Sequence, residues 1–130
     1  MNSGKSKKIF IVDDDAMLTE ALTDYLTRKV SHKISSFHTG EDCLKHLSEN
    51  PDVIILDYFL NAVHKDAANG MEILQTIKKD YPQMHIIMLS GQERYGVALQ
   101  TIQKGAEQYV IKDKDAFEKI NQMIDALGNL

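Results

Sequence analysis

The chain has 130 residues, 43% of them hydrophobic and 26% charged, with a formal net charge of −4; that size and balance suit one globular domain around a single core. Charges of both signs are spread along the sequence, which argues against a binder of the nucleic-acid backbone, and the basic cluster Lys5, Lys7 and Lys8 is expected to belong to a flexible tail over residues 1–7. No apolar run approaches the roughly 18 residues of a membrane span or forms the apolar core of a secretion signal, so a soluble, cytoplasmic protein without membrane contact is expected.

In chain order the sequence alternates strand and helix five times. Ile9-Phe10-Ile11-Val12 is a short apolar run that stops at Asp13-Asp14-Asp15, and Met17, Leu18, Ala21, Leu22, Tyr25 and Leu26 then follow at the spacing of one helix face, with Asp15 placed to cap it. Residues 32–37 read as a strand of mixed polarity suited to a sheet edge; Thr39-Gly40-Glu41 opens a helix with Leu44 and Leu47 inward that ends near Asn50-Pro51. Cys43, the only cysteine, is expected to be a buried structural thiol. Val53-Ile54-Ile55-Leu56-Asp57 runs without a polar gap until its last residue, as a central strand covered on both faces would. A polar stretch from Asn61 to Asn69 separates it from Gly70 and a helix carrying Met71, Ile73, Leu74 and Ile77. Ile86-Ile87-Met88-Leu89 is a second continuous strand, stopping at Ser90-Gly91, and a helix over residues 95–104 is expected to turn Val97, Ala98 and Ile102 inward and to end at Gly105. The last strand, residues 108–111, stops at Lys112, and Phe117, Ile120, Ile124 and Leu127 mark the closing helix.

Five such units without hairpin signals imply parallel strands, right-handed crossovers and helices on both sheet faces. The expected fold is a doubly wound five-stranded parallel α/β sheet, flavodoxin-like, with strand order 2-1-3-4-5.

In that fold the carboxyl ends of the strands share one rim, which collects Asp13, Asp14, Asp15, Asp57, Ser90 and Lys112. Taken singly, an acidic triplet is ordinarily a solvated helix start, a serine after a strand a turn, and Lys112 a surface residue. Their coincidence on one rim points instead to a site. Several carboxylates in one crevice repel one another unless a cation joins them, and hard oxygen donors with room for water suit Mg²⁺. With the ion bound, Asp57 can act as a carboxylate nucleophile toward phosphorus, Lys112 can neutralise phosphoryl oxygens, and Ser90 can supply a neutral hydrogen bond.

These residues carry a resemblance. From Ile9 through Asp13-Asp14-Asp15, through Val53 to Asp57, Ile86 to Ser90-Gly91, and Gly105 to Lys112, the chain resembles the receiver domain of two-component response regulators across nearly its whole length. The resemblance implies a single receiver domain over 1–130 and a signalling function instead of an enzyme's. By that resemblance Asp57 is expected to accept a phosphoryl group from a sensor histidine kinase or phosphotransfer protein, and Asp13 and Asp14 to hold Mg²⁺ directly or through water, with Asp57 and the backbone carbonyl of Phe59 as further ligands. The same resemblance implies that Ser90 and Lys112 contact the phosphoryl group, that Ser90 and Tyr109 form the switch, and that a downstream target or effector domain reads the last two helices and last strand. In that family the positions of Phe59 and Gln92, two residues beyond Asp57 and Ser90, flank the path of the water that hydrolyses the aspartyl phosphate, so both are expected to affect its lifetime.

Two features depart from the family pattern. Asn61 follows Leu60 where a proline is usual near that point, and Gly70 is displaced by an insertion; the lengthened segment from Asn61 to Asn69 is expected to project beside the site and to discriminate partners. Lys112 is followed by Asp113 instead of proline, and their peptide bond is expected to be trans, because cis costs a non-proline bond about 2.5–4 kcal/mol. A flavodoxin-type nucleotide carrier is disfavoured by three aspartates where a phosphate loop would sit, and a haloacid-dehalogenase-type phosphatase by Phe59 where a second acid is needed. The alternative retained is a receiver-like interaction module that works without phosphorylation.

Overall fold

The computed structural model describes residues 5–60, 68–91 and 95–127. The apolar runs form five strands, β1 (Lys8–Val12), β2 (Lys33–Phe37), β3 (Val53–Asp57), β4 (His85–Ser90) and β5 (Gln108–Ile111). All pair in parallel in the order β2-β1-β3-β4-β5, as the sequence predicts. The helices are α1 (Ala16–Leu26), α2 (Gly40–Leu44), α3 (Gly70–Asp80), α4 (Tyr95–Gln103) and α5 (Ala116–Leu127), with a short 3₁₀ turn at Leu47–Glu49 finishing what the sequence suggests as one longer second helix.

Side chains alternate across the sheet, so the β1, β3 and β4 runs feed two cores. Phe10, Val12, Ile54, Leu56, Ile86 and Met88 meet Cys43 of α2 and Ile73, Leu74 and Ile77 of α3 on one face. Ile9, Ile11, Val53, Ile55, Ile87, Leu89 and Val110 meet Leu22 and Leu26 of α1 and Ala116, Ile120 and Ile124 of α5 on the other. Burial pushes the Cys43 thiol up to about 12, which keeps it protonated and structural.

Local chemistry fixes the helix ends. Asp15 Oδ1 accepts the Leu18 N–H (3.1 Å) at the start of α1, and Asn69 and Glu72 form a reciprocal capping box at the start of α3. At the end of α4, Ala106 N–H reaches Thr101 O and Gly105 N–H reaches Ile102 O, both at 3.0 Å, with Gly105 at φ 113°. That is a Schellman closure, which needs the left-handed backbone glycine allows.

Three expectations are corrected. Met17 is 83% exposed and Ala21 is also exposed, while Thr19 joins the buried face of α1. Ile102 is 41% exposed and Thr101 takes the buried position on α4. Lys7 is not part of a tail: it is buried, its N–H donates to His32 Nδ1 (3.0 Å), and its carbonyl accepts from Lys33 N–H (2.9 Å), continuing the β1–β2 ladder backward.

Candidate functional site

The strand ends converge as the parallel order requires. β1 and β3 are neighbours, so Asp13 and Asp57 emerge side by side; β4 and β5 extend the rim to Ser90 and Lys112, whose backbones are joined by Lys112 N–H to Ser90 O at 2.8 Å. Asp13, Asp57 and Ser90 are all buried, and Asp14 is half-buried. Of the acidic triplet, two residues enter the crevice and Asp15 turns to cap α1.

Asp13, Asp14 and Asp57 each present a carboxylate oxygen within 4.8 Å of the other two. Asp14 Oδ2 is buried without a hydrogen-bond partner among the described residues. An orphaned buried carboxylate oxygen is costly in a stable protein. A hard divalent cation bound by oxygen would satisfy it, so these donors fit Mg²⁺. Lys112 Nζ stands 3.1 Å from Asp13 Oδ2 and 3.3 Å from Asp57 Oδ1, bridging the two carboxylates. Asp13 Oδ1 accepts the Asp15 N–H (2.9 Å), and Asp57 Oδ1 accepts the Phe59 N–H (3.3 Å).

The electrostatics follow from this packing. Burial raises the Asp57 carboxyl to about 6, helped by the charge of Asp13 and opposed by Lys112 and the Phe59 N–H. Burial likewise raises Asp13, with Asp14 adding to the rise and the Asp15 N–H and Lys112 resisting it. For Lys112 burial works against the charged form, but Asp57 and Asp13 outweigh it and hold the ammonium above its ordinary range. The crevice thus holds at least two buried carboxylates against one cation, an excess of negative charge that a metal ion would relieve.

Gly70 packs directly beneath this rim. Its N–H donates to Tyr58 O (2.9 Å), and a Cβ there would lie 2.3 Å from the Asp57 carbonyl oxygen and 2.7 Å from Tyr58 Cα. Only glycine lets α3 begin this close to the end of β3. Phe59 is half-buried, its ring edge-on to Tyr58 at 4.8 Å between centroids, and Tyr109 is half-buried against the core on the α3 face. Gln92 and residues 61–67, including His64, lie outside the described residues. The Lys112–Asp113 bond is trans, as expected.

Of the rim residues the sequence offers, Asp13, Asp14, Asp57 and Lys112 come together in the crevice and Asp15 does not, and the bridge from Lys112 to both Asp13 and Asp57 is not anticipated by the sequence. The excess of acids over bases at the rim was the available signal for it.

The chain matches the family model described as the response regulator receiver domain over residues 9–125. It is 29% identical to the DNA-binding transcriptional regulator NtrC of Proteus hauseri, over 86% of this chain and 23% of that protein. It is 25% identical to the response regulator protein VraR of Staphylococcus saprophyticus, over 84% of this chain and 51% of that one. The chain therefore spans about half, or less, of the length of these relatives. Among solved structures it superposes on the BeF3-activated DrrB receiver domain with a TM-score of 0.82 and 26% identity, covering 96% of this chain and 99% of that one. The response regulator DrrB from Thermotoga maritima gives a TM-score of 0.75 and 28% identity, over 90% of this chain and 50% of that one.

Proposed function

Because the chain belongs to the response regulator receiver domain family, we propose that it is a phosphoacceptor switch in which Asp57 takes a phosphoryl group in a Mg²⁺-dependent reaction. The observation that carries this reading is the buried Asp57 carboxylate at the end of β3, with Lys112 Nζ 3.3 Å away and the Asp13 and Asp14 oxygens within 4.8 Å. An Asp57 oxygen attacks phosphorus; the new O–P bond forms as the P–N bond to the donor's phosphohistidine breaks, and the imidazole leaves with a proton. Lys112 stays near the phosphoryl oxygens and offsets their charge, while Ser90, buried at the end of β4, donates from its hydroxyl. Asp13, Asp14, Asp57 and the Phe59 carbonyl would hold Mg²⁺, which would supply positive charge to offset that of the phosphoryl oxygens.

The nucleophile must be ionised. Burial raises Asp57 to about 6 even with Lys112 pulling the other way, so the carboxylate is the main form near pH 7, and a bound cation would favour it further. Phosphorylation adds charge at the crevice and draws on Ser90, with Tyr109 as the second switch residue. A partner surface on α4, β5 and α5 is supported by Leu99 and Ile102, which are 59% and 41% exposed on α4. The donor is a sensor histidine kinase or phosphotransfer protein, and the reader is a downstream target or an effector domain. The segment from Asn61 to Asn69 is proposed to discriminate among them.

The test is incubation with a small phosphodonor and Mg²⁺, followed by intact mass and site mapping. One phosphoryl group on Asp57, lost in Asp57→Asn and with a chelator, is the expected result. Labelling that persists in the variant or ignores the chelator refutes the mechanism. Absence of labelling in the native protein favours an interaction module that works without phosphorylation.

A further inference from the structure

Lys112 reaches two carboxylates from the last residue before a change of direction, and its four-carbon stem carries substantial rotamer freedom of its own. Where that stem starts is set by the backbone that follows it. Lys112 N–H is held by Ser90 O (2.8 Å), the last rung between β4 and β5. Immediately afterwards Asp113 N–H donates back to Ile111 O (2.8 Å), closing a three-residue turn centred on Lys112. Asp113 Oδ1 then accepts the Asp115 N–H (2.9 Å), and the Asp113 carbonyl accepts the Ala116 N–H (3.1 Å) at the start of α5. One residue therefore closes the turn around the lysine and ties it to the next helix.

The charge of Asp113 is also directed. A carboxylate adjacent in sequence could compete for the Lys112 ammonium, yet the second oxygen of Asp113 faces Lys119 Nζ of α5 at 3.8 Å while Lys112 Nζ lies on Asp13 and Asp57. We propose that Asp113 is a positioning residue for Lys112: its backbone N–H and side-chain oxygen close successive turns that aim the lysine into the crevice, and Lys119 keeps its charge from drawing the lysine out. The plain alternative is a turn residue that serves only the start of α5. A proline at this position has no N–H and could not close the first turn; an alanine keeps that N–H and removes only the side-chain acceptor.

This inference rests on the reading of Lys112 as a phosphoryl contact, and its test separates the two. Labelling of the full chain by a small phosphodonor at saturating Mg²⁺ is timed in the native protein, Asp113→Ala, Asp113→Asn, Lys112→Ala and the double variant Lys112→Ala/Asp113→Ala. Asp113→Ala is expected to label about fivefold more slowly, the population shift worth one lost hydrogen bond. Asp113→Asn keeps an acceptor oxygen and is expected to restore most of the rate. In the Lys112→Ala background the Asp113→Ala change is expected to have no further effect, since a residue acting through Lys112 has nothing left to position. Equal slowing in both backgrounds, or a native rate in Asp113→Ala, overturns the proposal. A Lys112→Ala variant that labels at the native rate instead refutes the phosphoryl-contact reading, and the proposal falls with it. Amide hydrogen exchange decides the turn without any phosphorylation: exchange at Lys112 and Asp115 is expected to accelerate in Asp113→Ala and not in Asp113→Asn. Unchanged exchange removes Asp113 from the account even if the native protein never labels.

Discussion

Replacing Asp57 by asparagine should make the metal-free protein more stable while abolishing its proposed chemistry. Asparagine keeps the shape of the side chain and removes a charge that the fold holds at a cost. The carboxyl lies at about 6 in the folded protein against an ordinary 3.8, and that displacement corresponds to about 3 kcal/mol. The sign follows from proton binding. Between these two values the folded chain holds a proton that the unfolded chain has released, so stability falls as pH rises through the window. The cost of Asp57 is absent below about pH 3.8, about half developed near pH 5 and complete above about pH 6. Lys112 loses one counter-ion in the variant but keeps Asp13 at 3.1 Å, which limits the offsetting loss. Urea unfolding followed by far-UV circular dichroism, in chelator-treated buffer near pH 7.5, should place the variant's midpoint about 1–2 M above the native one, taking a slope of about 2 kcal/mol/M. Near pH 5 the gap should narrow to about half. A variant of equal or lower stability near pH 7.5, or a gap that does not shrink on acidification, would refute the view of Asp57 as a strained, buried carboxylate.

Other consequences are as direct. Asp14→Asn removes a donor charge from the cluster, so Mg²⁺ titrated against the native protein and the variant by calorimetry should bind the variant at least about tenfold more weakly; equal affinity would place the ion elsewhere. Gly70→Ala must push α3 away from the Asp57 and Tyr58 backbone, which should lower stability by about 1–3 kcal/mol and slow labelling of Asp57. An unchanged urea midpoint in that variant would contradict the close approach. Phe59→Asn supplies an amide where the native ring offers no hydrogen-bonding atom, so the phosphoryl group on Asp57 should decay faster under matched Mg²⁺ and pH; equal or slower decay removes Phe59 from the control of signal lifetime.

What the sequence reveals and what it hides divides along physical lines. The strands at β1, β3 and β4 are legible because a strand covered on both faces must be apolar throughout, leaving the first charged or polar residue to mark its end. That same rule lines up Asp13, Asp57 and Ser90 before any coordinates are known. Helix phase is less legible. In α1 apolar residues fall at Met17 and Ala21 as well as on the true inner face, and Thr19 is buried where spacing alone favours Met17. In α4 the same ambiguity exchanges Ile102 for Thr101. Lys7 is hidden for another reason: its burial depends on His32, 25 residues away, accepting its N–H. The turn at Asp113 is also beyond sequence reading, because it depends on which backbone groups face one another after the strand ends.

The connection between Tyr58 and Gly70 carries a consequence for how such a domain can change over time. Tyr58 O accepts the Gly70 N–H, so the chain leaves the end of β3 and comes back to the same point. Its return is fastened again by Ala68 N–H on Glu41 Oε2 (2.9 Å) and by the Asn69–Glu72 capping box. Whatever lies between these fasteners can lengthen or shorten without moving the strand or the helix. The entropic charge for doubling such a loop is only about 0.6 kcal/mol. The anchors at Tyr58, Ala68 and Asn69 therefore hold the end of β3 and the start of α3 in place whatever length of chain joins them. With recognition on that stretch, as proposed, chemistry and recognition would be selected on separate parts of the chain.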